Sequence, residues 1–465
     1  MRSLVAGLTA AAIALMVSPI RGLPPDTAQG ASSDFIVTAA PVYKSLAELR
    51  GQERFPKGAQ LLLVHAGKAE SLVNGFAASA DANISFDGQM VLFAGKRSEG
   101  DPWQIWELTL NDRSVRRVTA TATDAERPFY LPGGRMVWAQ RTAAGFQLQS
   151  SDDGLPISKF LNPTAGPGIL PLTYTGTNAF PADVLHDGRI LFEAGFPLGT
   201  GTTPEMFLVY ADGSGVESVR CDHGRARWGG TQLSSGDVVF THGASLARCT
   251  SAMAHEEAVV VPHGEYSGAI AETASGAWLL SARAETDARF EIKIWNLGAT
   301  KMRTVLAMSG NDLVEPVLVA PRTRPNRHPS GLHPWDYANL LALDARVSRE
   351  GDLRGKPVSV RLEAQDAKGR AVAMGTAPVE KDGSLFVKVP VDRPIRFELL
   401  DFKGTVLRQE RGWFWARGGE QRICVGCHAG PERASENRVP DVLMRTTEPV
   451  DLTGGKPVAG VQHGN

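Results

Sequence analysis

Towards the C-terminal end of the chain, Cys424-Val425-Gly426-Cys427-His428 sets two thiols three positions apart, with an imidazole directly after the second. Thiols at this spacing reach the two vinyl groups of a tetrapyrrole as thioethers, and the adjoining imidazole reaches the iron as an axial ligand. The pattern therefore reads as the attachment of one covalent haem c at Cys424 and Cys427, with His428 on the iron. Two other chemistries use such a pair. A thioredoxin-like dithiol needs a framing strand and helix that this segment lacks, and a structural zinc site needs a second pair of ligands. The remaining cysteines, Cys221 and Cys249, read either as a disulfide in an oxidising compartment or as two separated thiols.

A haem iron has a sixth position, which sets both potential and reactivity. Met444, in Val442-Leu443-Met444, is the candidate thioether, although such a residue more often serves packing. His463 is a weaker candidate near the terminus, and a vacant position would admit a small-molecule ligand. Trp413, Phe414 and Trp415 stand just before the motif as a candidate apolar wall, with sandwich core as the competing reading. Asp336, Tyr337 and Glu432 are the acid or base candidates if the chain is an enzyme, and each also reads as a loop residue. His328 and His333 flank a proline-rich connection and read as solvated loop histidines. His223, His242, His255 and His263 crowd one stretch at spacings of 19, 13 and 8. Those spacings match no ligand motif, and four separate loops account for them.

The wider chain limits the compartment and the partners. Arg2 followed by the apolar run 4–17 and a break at 18–22 reads as an export signal, expected to span 1–22. The run is shorter than the roughly 20 residues that cross a bilayer, and no later segment is long and apolar enough. The expected location is the periplasm or the cell exterior, where covalent haem attachment takes place. Lys plus Arg number 49 against 50 for Asp plus Glu, so there is no field suited to nucleic acid. The chain has 465 residues, 49 of them Gly and 29 Pro, and its strand-like runs are short. This points to two turn-rich β units with little helix.

A short Gly-containing turn recurs before an apolar strand, ending at Gly88, Gly134, Gly188, Gly236 and Gly276, with intervals of 46, 54, 48 and 40 residues. That is the period of a propeller blade. Asp87-Gly88 tolerates the positive φ a tight hairpin demands, and the flanking runs supply branched and aromatic residues. Residues 35–320 are thus expected to form a six-bladed β-propeller, with seven as the alternative count. The 35–73 segment would close the ring against a strand at 314–320. After the proline-punctuated linker 321–333, a small antiparallel β-sandwich is expected over 334–432, bearing the haem motif, followed by a tail at 433–465. The fold class is all-β.

The Ser85-Phe86-Asp87-Gly88 turn with its following Gln104-Ile105-Trp106 strand resembles the WD40-like repeats of TolB-type propellers. The segments Ala377-Pro378-Val379-Glu380-Lys381-Asp382-Gly383-Ser384, Leu399-Leu400-Asp401 and Gly419-Glu420-Gln421-Arg422-Ile423-Cys424 into the haem motif resemble the middle domain of the hydrazine synthase alpha subunit family. Glu315-Pro316 and Pro321-Arg322 resemble its propeller junction. The resemblance implies a propeller joined to a c-haem domain in bacterial redox metabolism. Hydrazine-forming members carry a further haem domain, whereas this sequence holds one attachment motif, and residues 429–432 supply no Tyr as an alternative iron ligand. The expected role is an exported electron carrier or accessory redox subunit with a redox protein partner. A haem oxidoreductase acting on a small nitrogen compound and a protein-binding propeller scaffold are the alternatives.

Overall fold

The turn at Ser85 shows how the repeat is built. Gly88 takes a φ of 75°, open to a residue without Cβ, and its N–H donates to the Ser85 carbonyl at 2.9 Å. The Ser85 hydroxyl donates to Asp87 at 2.6 Å and accepts the Met90 N–H at 2.9 Å. Strands Ala78–Ile84 and Met90–Lys96 leave this turn antiparallel, and Gln104–Thr109 and Val115–Arg117 complete a four-stranded meander. This computed structural model describes residues 34–151, 168–198, 201–220, 223–250, 255–348, 353–426, 438–446 and 448–454, with the side chains of 197 and 198 left aside. The expected leader and Cys221, Cys427, His428, Glu432 and His463 lie outside them.

Among the described residues, six sheets, five of four strands and one of five, follow one another from Phe35 to Leu318. The first takes its edge strand from the far end of the array, where Asp312–Leu318 pairs with Phe35–Ala40, so the ring closes by hydrogen bonding. Facing sheets pack through buried side chains such as Ile36, Leu61, Val91 and Phe93. The chain is an all-β propeller followed by a second β unit.

Inner edge strands share one irregularity. The pairing register breaks between Ala80 and Asn83 and between Glu126 and Phe129, and Asp81, Arg127 and Glu315 take φ of 61°, 50° and 59°. These bulges bring charge together. Arg54 pairs with Asp81 and Glu315, and Arg127 pairs with Glu48 and, at 3.2 Å, with Glu193.

Residues 321–333 form no strand and lie along the propeller. The Arg322 N–H donates to the Phe86 carbonyl at 3.0 Å while its guanidinium covers the Phe86 ring, and His328 stacks on Tyr210 at 3.9 Å. Beyond this strap, two four-stranded sheets pack face to face around Leu340, Leu362, Val387 and Leu399. Ser359–Gln365, Ala371–Pro378, Ile395–Leu400 and Val406–Gln409 form one sheet. Tyr337–Ala342, Leu385–Pro390, Gln421–Cys424 and Val450–Asp451 form the other. The second sheet departs from the antiparallel expectation, because Gln421–Cys424 and Val450–Asp451 both join it parallel to their neighbours. Each is a short strand brought back after a long excursion, so no hairpin sets its direction.

Candidate functional site

Cys424 closes the edge strand Gln421–Cys424, opposite Ala342. The Leu343 N–H donates to the Cys424 carbonyl at 2.8 Å and the Asp344 N–H to the Val425 carbonyl at 3.2 Å, carrying the pairing past the strand end. A Cβ on Gly426 would stand 2.7 Å from the Val347 carbonyl oxygen and 2.9 Å from that of Asp344, so the spacer of the motif must be a residue without a side chain. Burial pushes the Cys424 thiol up, against a smaller lowering by Arg422. Such a thiol is the opposite of the activated thiolate a dithiol redox centre uses.

Beside Cys424 is a cavity of about 480 Å³ within the size range of cofactor sites, between the fourth and fifth propeller sheets and the sandwich. The propeller contributes Phe207, Leu208, Val219 and Val238, and the sandwich contributes Leu340, Val360, Phe397 and Leu399. Cys424, Val425 and Gly426 form part of the wall. Size, apolar lining and a thiol in the wall all suit the tetrapyrrole implied by the motif.

The three aromatics ahead of the motif divide their work. Trp413 and Phe414 line the cavity, each with an Arg guanidinium over its ring, from Arg396 and Arg422. Trp415 is turned the other way, 1% exposed, and its indole N–H donates to the Gly213 carbonyl at 2.9 Å. Arg417, fully buried, donates to the Pro171 carbonyl and the Tyr174 hydroxyl, both at 2.8 Å. These two residues fasten the sandwich to the propeller and so set the width of the space between.

The lining also holds polar side chains, Asp187, Arg189, Glu217, Gln232 and Arg422 with His223 and Glu410 among them. Glu410 accepts the Phe397 N–H at 3.1 Å, and burial pushes its carboxyl up to about 7. His223 stacks face to face on Phe196 at 4.1 Å, with its Nδ1 3.4 Å from the Glu205 carboxylate. Glu205 also accepts the Gly224 N–H at 2.7 Å and lies 3.7 Å from Arg227, which continues through Glu256 to His242.

The other sequence candidates fall elsewhere. Met444, on the short helix Asp441–Arg445, is 76% exposed and does not line the cavity. His333 stacks on Trp335, which stacks on Tyr337, and Asp336 is exposed beside them. His255 and His263 are exposed, and no group of three or more metal-ligating side chains forms among the described residues. Reading the sequence alone missed Glu410 and the setting of His223. Neither belongs to a local motif, and only the meeting of distant sheets brings them to the cavity.

Comparison with known proteins places this geometry. Residues 343–429 match the family described as the hydrazine synthase alpha subunit middle domain. Hydrazine synthase subunit alpha of Kuenenia stuttgartiensis is 27% identical over 99 residues, 19% of this chain and 12% of that protein. The solved structure of Kuenenia stuttgartiensis hydrazine synthase superposes with a TM-score of 0.74 at 17% identity, over 89% of this chain and 71% of that chain. TolB from Acinetobacter baumannii aligns at a TM-score of 0.45 and 14% identity, over 62% of this chain and 67% of that chain. The chain is thus similar to the hydrazine synthase alpha subunit in the sequence of its middle domain and to hydrazine synthase in its fold. Among the described residues no helix is long and apolar enough to cross a membrane.

Proposed function

We propose that this chain holds one haem c through Cys424 and Cys427, with His428 as an axial ligand, and acts outside the cytoplasm as an electron carrier or accessory redox subunit in hydrazine synthase-like chemistry. The observation that carries the reading is that the first cysteine of the motif stands in the wall of an apolar cavity of about 480 Å³. Bound there, the haem would supply one-electron transfer. The side chains of Phe207, Phe397, Trp413 and Phe414 would exclude water from it. The export signal expected at 1–22 supports a periplasmic or extracellular site. The likeness to a protein named as a subunit supports a redox protein as partner. A haem attached at this motif would transfer one electron at a time.

The test is expression in a host with periplasmic haem-maturation machinery, followed by a denaturing gel stained for haem. The wild-type band is expected to stain, because thioether bonds survive unfolding, and the Cys424→Ser, Cys427→Ser double variant is not. A stained double variant would overturn the assignment. Production of hydrazine by the purified chain alone, dependent on His428, would replace the carrier reading with a complete enzyme.

A further inference from the structure

Glu410 follows the sandwich strand Val406–Gln409 and lines the cavity beside Cys424. Its Oε2 accepts the Phe397 N–H at 3.1 Å, whereas among the described residues its Oε1 accepts no hydrogen bond and the carboxyl joins no ion pair. The cations that face it are engaged elsewhere. Arg396 pairs with Glu363 at 2.8 Å and covers the Trp413 ring, and Arg422 donates to the Val216 carbonyl and, at 3.4 Å, to the Trp415 carbonyl. On the propeller side, Asp187 and Glu217 are half exposed and both pair with Arg189, and His223 stands 3.4 Å from Glu205. Glu410 is thus a carboxyl in an apolar wall without a counter-ion of its own. Burial pushes it up to about 7, against smaller lowering by the Phe397 N–H, Arg422 and Arg396. The same carboxyl is felt at the haem-attachment position: burial raises the Cys424 thiol, Arg422 lowers it, and the charge of Glu410 adds to the rise. Arg422 and Cys424 alternate along Gln421–Cys424 and so share the face that lines the cavity.

Resting on the haem reading above, we propose that Glu410 is the proton acceptor coupled to reduction of the haem, so that the cavity takes up a proton together with the electron. The ferric centre carries one more positive charge than the ferrous one and favours the carboxylate. When one electron arrives from the redox partner, that charge is lost and Glu410 takes one proton from solvent at Oε1. Oxidation reverses both, and no other bond forms or breaks. Two unit charges roughly 10 Å apart, at an effective dielectric of about 20, shift one another's equilibrium by about tenfold. The sign follows by linkage. The reduced protein binds the proton more tightly, so the midpoint potential is highest with Glu410 protonated in both states and falls as the pH rises through its titration.

The test is the midpoint potential of the purified full-length holoprotein, measured by optical redox titration across a series of pH values. Wild type is expected to fall as the pH rises through about 7. A tenfold difference in proton affinity between the oxidation states makes the whole fall about 59 mV for one electron. Glu410→Gln is neutral at every pH and should stay near the acid-limit potential of wild type, so the two coincide in acid and part in alkali. Glu410→Ala should give the same flat profile. His223→Gln, which removes another titratable group of the wall, should keep the wild-type fall. A haem-stained wild type whose potential does not vary with pH, a haem-stained Glu410 variant that keeps the whole fall, or its loss in His223→Gln would overturn the coupling and leave the haem reading standing. A wild type without covalent haem would overturn the haem reading and this proposal with it.

Discussion

Two buried regions of this protein collect ionisable side chains, and they are built to different ends. Along the inner edge strands of the propeller, Arg54 and Arg127 are paired with Asp81, Glu315, Glu48 and Glu193. Beside Cys424, the His223 imidazole and the buried carboxyl of Glu410 border a mostly apolar space of about 480 Å³. Buried charge alone therefore does not mark a site. In the first region the charges pair with one another beside the positive-φ residues Asp81, Arg127 and Glu315. In the second, polar groups share the wall of a largely apolar volume next to the cysteine of an attachment motif, a lining of the kind that cofactor sites have.

Four substitutions test that contrast. The largest effect is expected at the inner strands, where Arg54→Met leaves Asp81 and Glu315 buried without their cation. Loss of one partner of such a network costs about 3–5 kcal/mol, read as a lower urea midpoint. Covalent haem in whatever protein folds should be unchanged, whereas equal loss of haem and stability would dissolve the distinction between the regions.

Glu410 comes next and carries a pH signature. Burial raises its folded-state pKa to about 7 from the 4.5 of an unfolded glutamate. The fold thus favours the protonated carboxyl, a contribution fully present below pH 4.5 and lost as the pH rises through about 7. Replacing it in Glu410→Gln should remove about 2–3 kcal/mol of this decline between acid and alkaline conditions. Parallel urea curves for wild type and variant at both pH extremes would count against a buried carboxyl in the cavity wall.

At Gly426 the expected cost is about 1–3 kcal/mol for Gly426→Ala, since the added methyl meets two carbonyl oxygens that belong to backbone and cannot turn aside. A drop in haem-stained yield should accompany it, and full haem yield at wild-type stability would show that the turn has room to shift. The smallest effect is expected at Met444. Its exposed side chain should tolerate Met444→Ala within about 0.5 kcal/mol. The haem spectrum should not change, and a change in the iron's spin state would return this residue to the coordination sphere.

Much of this architecture is legible in the sequence because it is local. Asp87-Gly88 and its later counterparts specify hairpins through the φ values the turn needs, and the apolar strands that follow are recognisable one by one. Closure of the ring by Asp312–Leu318 on Phe35–Ala40 could be anticipated because a partial repeat at one end requires a strand from the other. The sandwich strand Ile395–Leu400 alternates visibly, but Tyr337–Ala342 does not show a partner, since its neighbour Gln421–Cys424 arrives in parallel from far along the chain.

The sequence by itself determined the repeat, the all-β class and the attachment motif, because each is written in residues a few positions apart. Tertiary structure alone decided where the motif opens and what it faces. Trp415 reaches Gly213 across 202 residues, and the space between fourth sheet and sandwich depends on that contact. No local pattern records such a distance, so only the folded chain brings His223, Glu410 and Cys424 to one cavity.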